Sequence, residues 1–151
     1  MAQATHHRFT FDEYVRLEVD SGVKHEFVAG QVFAMSGGTP ERAGITANIG
    51  RLLGNALEGR PCRVFSPDLR VRVRATGLGT YPDIAVICGK QIESLREVML
   101  VAHDRREVEI VRREGDGSWS RHVTSDGAVA RLESLDCDLP VAEIYRNPLG
   151  R

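Results

Sequence analysis

Cysteine, tryptophan and net charge are all scarce in this chain, and each shortage removes a class of protein. The three cysteines, Cys62, Cys88 and Cys137, are odd in number, far apart and set among apolar residues. No CxxC or other zinc-ligand spacing is present, so they read as reduced core residues of a cytosolic protein. The single tryptophan, Trp119, lies in a strand-rich stretch, where sheet packing is a more common role than base stacking. A formal charge of −1 argues against a nucleic-acid binder that works by bulk attraction, because phosphate binding rests on clustered Lys and Arg.

Other signals are missing as well. No apolar run approaches the ~18–20 residues needed to span a bilayer. The N-terminal MAQATHHRFTF has no apolar h-region, so no secretory leader is expected, and the chain reads as cytoplasmic with no membrane partner. GxSxG, Walker and HExxH motifs are absent, which argues against the usual hydrolase and nucleotide-binding readings. There is no repeat, low-complexity tract or linker.

What remains is an ordinary globular composition, 42% hydrophobic and 27% charged over 151 residues, enough for one domain with a real core. Most of the cationic charge is arginine, which suits bidentate phosphate contacts better than lysine does and equally reflects a GC-rich coding sequence. FTFDEY predicts a helix start, with Thr10 and Glu13 as a capping box and Phe9 and Tyr14 as a staple; the helix should run to Asp20 and close at Gly22. KHEFVAGQVFAM alternates around Ala29-Gly30 and predicts a hairpin, with Phe27 and His25 on one face and Glu26 and Val28 on the other. Thr39 and Pro40 open the clearest helix, whose stripe is Ile45, Ile49, Leu52, Leu53 and Leu57. Gly44, Gly50 and Gly54 within it suggest close packing against a sheet.

Strands are expected at 62–65 and 69–74, the latter alternating between an apolar face and an arginine face. ATGLG reads as a loop. Residues 84–88 are apolar on both faces, the pattern of a central strand, and 98–101 is another buried run. REVEIVRR, EGDG and SWSRHV read as an antiparallel meander, Asp126-Gly127 as a turn, and LESLDCDLPVAEIY as an edge strand followed by a short helix from Pro140.

Metal-assisted phosphodiester hydrolysis needs two or three carboxylates converging on one point and a positive group beside the attacking water. Asp83 is a candidate, because Pro82 fixes the backbone leading into an apolar strand and a central strand holds ligands rigidly. The spacing is weakly specific: Pro-Asp is also a common turn dipeptide, and Pro67-Asp68 is a second one. Glu26 and Asp68 are further acids that could converge, although an exposed or capping carboxylate is the more frequent arrangement for each. Arg70, Arg72 and Arg74 share one strand face and could hold phosphates; a solvated polar face is the more frequent alternative. His103 and Asp104 lie in a turn with nothing around them to suggest a triad.

The stretches FDEYVRL, KHEFVAGQVFAMSG, TPERAGITANIGRLL, GRPCRVFSPDLRVRV, TYPDIAVICG, SLREVMLVAHDRREVEIVRR and LPVAEIY, in this order, resemble the Uma-two family. That family is widely labelled as restriction endonucleases within the PD-(D/E)xK nuclease superfamily. The resemblance implies an α/β (α+β) class, a restriction-endonuclease-like mixed sheet flanked by helices. It further implies a metal-dependent endonuclease acting on DNA with Mg²⁺ or Mn²⁺, in which Asp83 is the first acidic ligand and Glu26, Asp68 and the loop around Tyr81 lie near the same cleft.

The chain departs from the family pattern at telling places. Gln31 stands where the family usually has Glu, and Arg42 where it often has His. The second acidic strand and the helix bearing Asp and Lys that follow the PD strand are absent, and only GKQIESLRE lies between Cys88 and Val98. Glu93 is then the candidate second carboxylate, and a segment missing or deleted near 91–95 is expected. Weak or absent cleavage follows from that reading. The alternative is a catalytically inactive nuclease-fold module that binds nucleic acid or a protein partner. Exposed sheet edges make a homodimer plausible under either.

Overall fold

The computed structural model describes residues 7–89, 94–147 and 150. In chain order the elements are α1 (Phe11–Asp20), β1 (His25–Val28), β2 (Gln31–Ala34), α2 (Pro40–Ala56), β3 (Cys62–Phe65), β4 (Val71–Val73), β5 (Leu78–Thr80), β6 (Ala85–Cys88), β7 (Glu97–Val101), β8 (Glu107–Arg113), β9 (Trp119–Ser125), β10 (Val129–Leu132), a 3₁₀ turn (Glu133–Leu135), β11 (Cys137–Pro140) and α3 (Val141–Ile144). This is the mixed α+β class expected, with the strands distributed over four hydrogen-bonded sheets. They fall into two compact units, Met1–Gly37 with Ser66–Ala85 and Gly38–Phe65 with Val86–Arg151.

The first unit is the sheet β2-β1-β5-β4 with α1 on one face. The Thr10 side chain accepts from the Glu13 amide, and the Glu13 carboxylate accepts from the Thr10 amide at 2.7 Å, so the predicted capping box forms. The helix stops at Asp20; its C-cap is Ser21 in extended backbone, so the stop needs no left-handed glycine and Gly22 does not supply one. The β1-β2 hairpin turns on Ala29 and Gly30, both at positive φ (47° and 88°), which suits the twist of the flanking strands.

Leu78 and Gly79, expected as the end of a loop, belong to β5, which sits between β1 and β4. The reason is Gly79. Its position opposes Phe27 on one side and Arg72 on the other. A Cβ there would lie 3.0 Å from the Phe11 ring and 3.1 Å from the Tyr14 ring. Glycine therefore reads as loop in the sequence but is required in this strand by the aromatic underside of α1, where Phe11, Tyr14 and Phe27 stack within 5.6 Å of one another.

In the second unit α2 buries Ile49, Leu53 and Leu57 and packs on β3, β11 and α3. Thr39 caps it and Pro40 opens it, as predicted. Gly44 and Gly54 do not mark close packing: nothing stands within 4 Å of where a Cβ would be. Asn48 Nδ2 donates to the carbonyls of Ile144 (3.0 Å) and Arg146 (2.8 Å), satisfying the end of the short α3. The expected antiparallel pairing of β8 with β9 forms, β7 adds to the other edge of β8, and Val108 and Ile110 turn inward, alongside Ala130, Leu132, Leu139, Val141 and Ile144. Each larger side chain of this core contributes about 1.5–3 kcal/mol by leaving water.

Several strand expectations need correction here. Residues 85–88 are partly exposed, and the hydrogen-bonded neighbour of β6 is β3, so β6 is not a strand buried on both faces. Leu100 of β7 and Trp119 of β9 are exposed, because they point away from the inner face of the meander. Cys62 and Cys88 are joined by a disulfide, since neighbouring β3 and β6 bring their Cα atoms to 4.0 Å. They are therefore not reduced core residues; Cys137, buried and free, is.

Glu97 on the inner face of β7 is 4% exposed and accepts from Arg112 Nε at 2.7 Å, from the Ser134 amide at 2.9 Å and from the Glu133 amide at 3.2 Å. It thereby ties β7, β8 and the 3₁₀ turn together and satisfies amides that open that turn.

Candidate functional site

The polar groups that concentrate in the first unit do so because α1 and β1 face each other across their aromatic contact. Glu18, near the end of α1, points back over the sheet and its side chain is 5% exposed. It accepts from the Tyr81 hydroxyl at 2.6 Å and from His25 Nδ1 at 2.7 Å. Tyr14, fully buried, donates to the His25 carbonyl at 2.7 Å. Burial pushes the Glu18 carboxyl up, but the hydrogen bonds from Tyr81 and His25 outweigh it and hold the group below the usual carboxylate range. Burial first, then the hydrogen bond to Glu18 and the charge of that group, raises the Tyr81 hydroxyl. Tyr81 is therefore a neutral donor clamped to an ionised acid.

Lys24, at the foot of β1, extends this network. Its Nζ lies 2.7 Å from Asp68 Oδ1 and 2.9 Å from the Pro67 carbonyl, and 5.4 Å from the centre of the Tyr81 ring. Ser66 Oγ donates to the other Asp68 oxygen at 3.2 Å. The Lys24 hydrogen bond and charge, with Ser66 behind them, hold the Asp68 carboxyl below the ordinary Asp value. Asp68 is itself exposed.

The sequence-derived candidates fall in separate places. Glu26 is on the sheet face away from α1 and accepts from Thr80 Oγ1. Asp68 meets Lys24. Asp83 is exposed, two residues beyond Tyr81 and two before β6. Arg70 and Arg72 lie over aromatic rings of α1: the Arg72 guanidinium is 3.9 Å from the centre of the Phe11 ring and the Arg70 guanidinium 5.7 Å from that of Tyr14. The arginine row is thus partly a helix-packing surface; Arg74 at its end is exposed. Glu93 lies outside the described residues, as do residues 91–93 of the stretch near 91–95 where a missing segment is expected.

A divalent ion in a nuclease fold needs several oxygen ligands on one point. Among the described residues no group of three or more His, Cys, Asp or Glu side chains stands together to hold a metal ion. One oxygen of Asp68 is engaged by Lys24, and Glu26 is engaged by Thr80. The described carboxylates as placed do not fit a ready-made ion site.

Glu18, His25 and Lys24 were not singled out from the sequence. One signal was available: Lys24 is one of only two lysines in a chain with eighteen arginines, and the other is Lys90. Glu18 and His25 carried none, since their meeting depends on the helix crossing the sheet.

The architecture defines a nuclease-fold protein. It is similar to the crystal structure of a "putative nuclease belonging to DUF820" from Anabaena variabilis ATCC 29413, with a TM-score of 0.74 at 15% identity over 91% of this chain and 97% of that one. The Uma2 family, described as "Putative restriction endonuclease", matches residues 11–96, and the chain belongs to that family. Two proteins of Synechocystis sp. (strain ATCC 27184 / PCC 6803 / Kazusa) are related in sequence, both named as uncharacterized. Protein slr1290 is 34% identical over 77 residues, 51% of this chain and 40% of its own length. Protein sll1609 is 30% identical over 87 residues, 58% of this chain and 49% of its own length. The chain thus matches under half the length of either relative. No helix among the described residues is long and apolar enough to cross a membrane.

Proposed function

We propose that this chain is an endonuclease of DNA phosphodiester bonds whose metal-dependent cleavage is weak. The observation that carries the reading is the family match over residues 11–96, which takes in Glu26, Asp68 and Asp83 together. Asp83 is the residue assigned to the reaction, with Glu93 as its companion; Glu26 and Asp68, the further candidates for a Mg²⁺ or Mn²⁺ ion, would each have to give up a present partner, Thr80 and Lys24. Arg74, with Arg70 and Arg72 beside it, is assigned to the DNA backbone, where guanidinium groups suit bidentate phosphate contact. The weakness follows from the short GKQIESLRE stretch standing where the family pattern has a second acidic strand and a lysine-bearing helix, which leaves the attacking hydroxide without a lysine beside it.

The test is nicking of supercoiled plasmid with Mg²⁺ or Mn²⁺, comparing the chain with Asp83→Ala. The expected result is slow nicking that Asp83→Ala abolishes. Equal nicking by both proteins removes Asp83 from the reaction.

A second reading is favoured by one observation, the Lys24 ammonium already seated on Asp68. In this reading the chain is a non-cleaving module that binds DNA through the same scaffold. It predicts no heat of Mg²⁺ or Mn²⁺ binding by calorimetry, and retained DNA binding that weakens as salt rises.

A further inference from the structure

The outward side of the β7-β8-β9 sheet sets large apolar side chains among its charged ones, where a solvated meander face is ordinarily polar. Register places Leu100, Glu109 and Val123 in one row, Val98, Val111 and Arg121 in the next, and Arg113 with Trp119 in a third. Leu100, Trp119 and Val123 are 52%, 48% and 54% exposed, so about half of each stays open to solvent. The opposite side of the same strands, with Val108 and Ile110, is the buried one. Half-exposed apolar side chains interleaved with paired charges in this way suit a contact with a matching surface.

The pattern of charge on that face selects the occupant. Along the outward positions of β8 it runs from acidic, Glu107 and Glu109, through Val111 to basic, Arg113. Such a strand is complementary to itself reversed. On β9 the same reversal exchanges the Val123 end for the Trp119 end.

We propose that this face packs against the same face of a second copy, strands antiparallel, about a two-fold axis that crosses the strands at Val111. Glu109 then meets Arg113 of the partner subunit, and Val123 meets Trp119 of the partner subunit. Val98 and Val111 lie at the axis. Arg121 is also near the axis but is already neutralised within its own chain, where it donates to Glu109 Oε2 at 2.6 Å. The Glu109 carboxylate has acceptor capacity left for the second arginine. The contact is isologous and closes at two copies. Three strands about 4.8 Å apart and roughly 20 Å long make a small patch. The association therefore belongs at the weak end of specific interfaces and depends on concentration.

Sedimentation velocity of the full chain from about 1 to about 100 μM tests it. The wild type should pass from monomer to dimer across that range. Val123→Glu should stay monomeric at the top of it, while Val19→Glu, on an exposed position of α1, should behave as wild type. Arg113→Glu should weaken the dimer by about tenfold or more, by setting a carboxylate opposite Glu109 of the partner subunit, while Arg113→Lys should keep it. Circular dichroism confirms that each variant is folded. A wild type that is monomeric throughout, a dimer indifferent to Val123→Glu, or a dimer indifferent to Arg113→Glu would each overturn the proposal.

Discussion

Lys24 Nζ stands 2.7 Å from Asp68 Oδ1, joining the start of β1 to the turn before β4. The carboxyl of Asp68 is held below its ordinary value by that hydrogen bond and charge. A depressed carboxyl stabilises the fold above its unfolded pKa, and the contribution is lost as pH falls through the folded value. Carbon-detected NMR should show Asp68 titrating below the usual Asp range in the wild type and moving back toward it in Lys24→Met. An unchanged midpoint would show that the ammonium does not govern this acid. Both groups are substantially exposed, so the effect on global stability should be small.

Glu18 gives a different result because it is buried. Tyr81→Phe removes a charge-assisted hydrogen bond from an ionised acid that water barely reaches, and should cost about 1.5–3 kcal/mol in urea unfolding at neutral pH. Since hydrogen bonding lowers the Glu18 carboxyl overall, the gap between wild type and variant is fully present above the ordinary Glu value. It should narrow as acid protonates the group. A cost that stays constant through the acid range would place the loss in packing instead.

Glu97 anchors the second unit as Glu18 anchors the first. Burial raises its carboxyl, but Ser134 and Arg112 together bring it below the usual range. Glu97→Ala removes the buried partner of Arg112 at 2.7 Å, leaving it the exposed Glu133, and takes the acceptor from two turn amides. The expected loss is about 2–3 kcal/mol. The sign is again that of a depressed acid, so the loss is greatest at neutral pH and falls as acid titrates the group in the wild type. Thermal melts at neutral and acidic pH measure it.

The Cys62–Cys88 link closes a separation of 26 residues. In the chain-entropy account a closure of this length contributes about 3.5 kcal/mol. Adding reductant should lower the urea midpoint of the wild type and leave the double variant Cys62→Ser with Cys88→Ser unmoved. A wild type indifferent to reductant would show that the bond adds nothing to the stability of the fold.

Periodicity and capping made most of the elements legible before any coordinates. Thr10 with Glu13, Thr39 with Pro40 and the Ala29-Gly30 turn are local signals, and each does in the fold what its chemistry dictates. What failed was whatever depended on a distant neighbour. Gly79 looks like loop until the rings of Phe11 and Tyr14 are placed above it. Cys62 and Cys88 look like core residues until β3 and β6 lie side by side. The acids Glu26, Asp68 and Asp83 were recognisable as candidates, but the sequence did not reveal Lys24 on Asp68 or Thr80 on Glu26. Nor could alternation alone say that Arg70 and Arg72 lie over aromatic rings, since it marks a face and not what covers it.

Gly79 also constrains the order in which this chain can change over generations. A Cβ at position 79 would stand 3.0 Å from the Phe11 ring and 3.1 Å from the Tyr14 ring, so a side chain there fits without crowding only after both rings have given way. An alanine arriving first passes through a crowded intermediate. Drift is therefore biased in order: the rings yield before the glycine does, and a side chain that later fills the space resists their return.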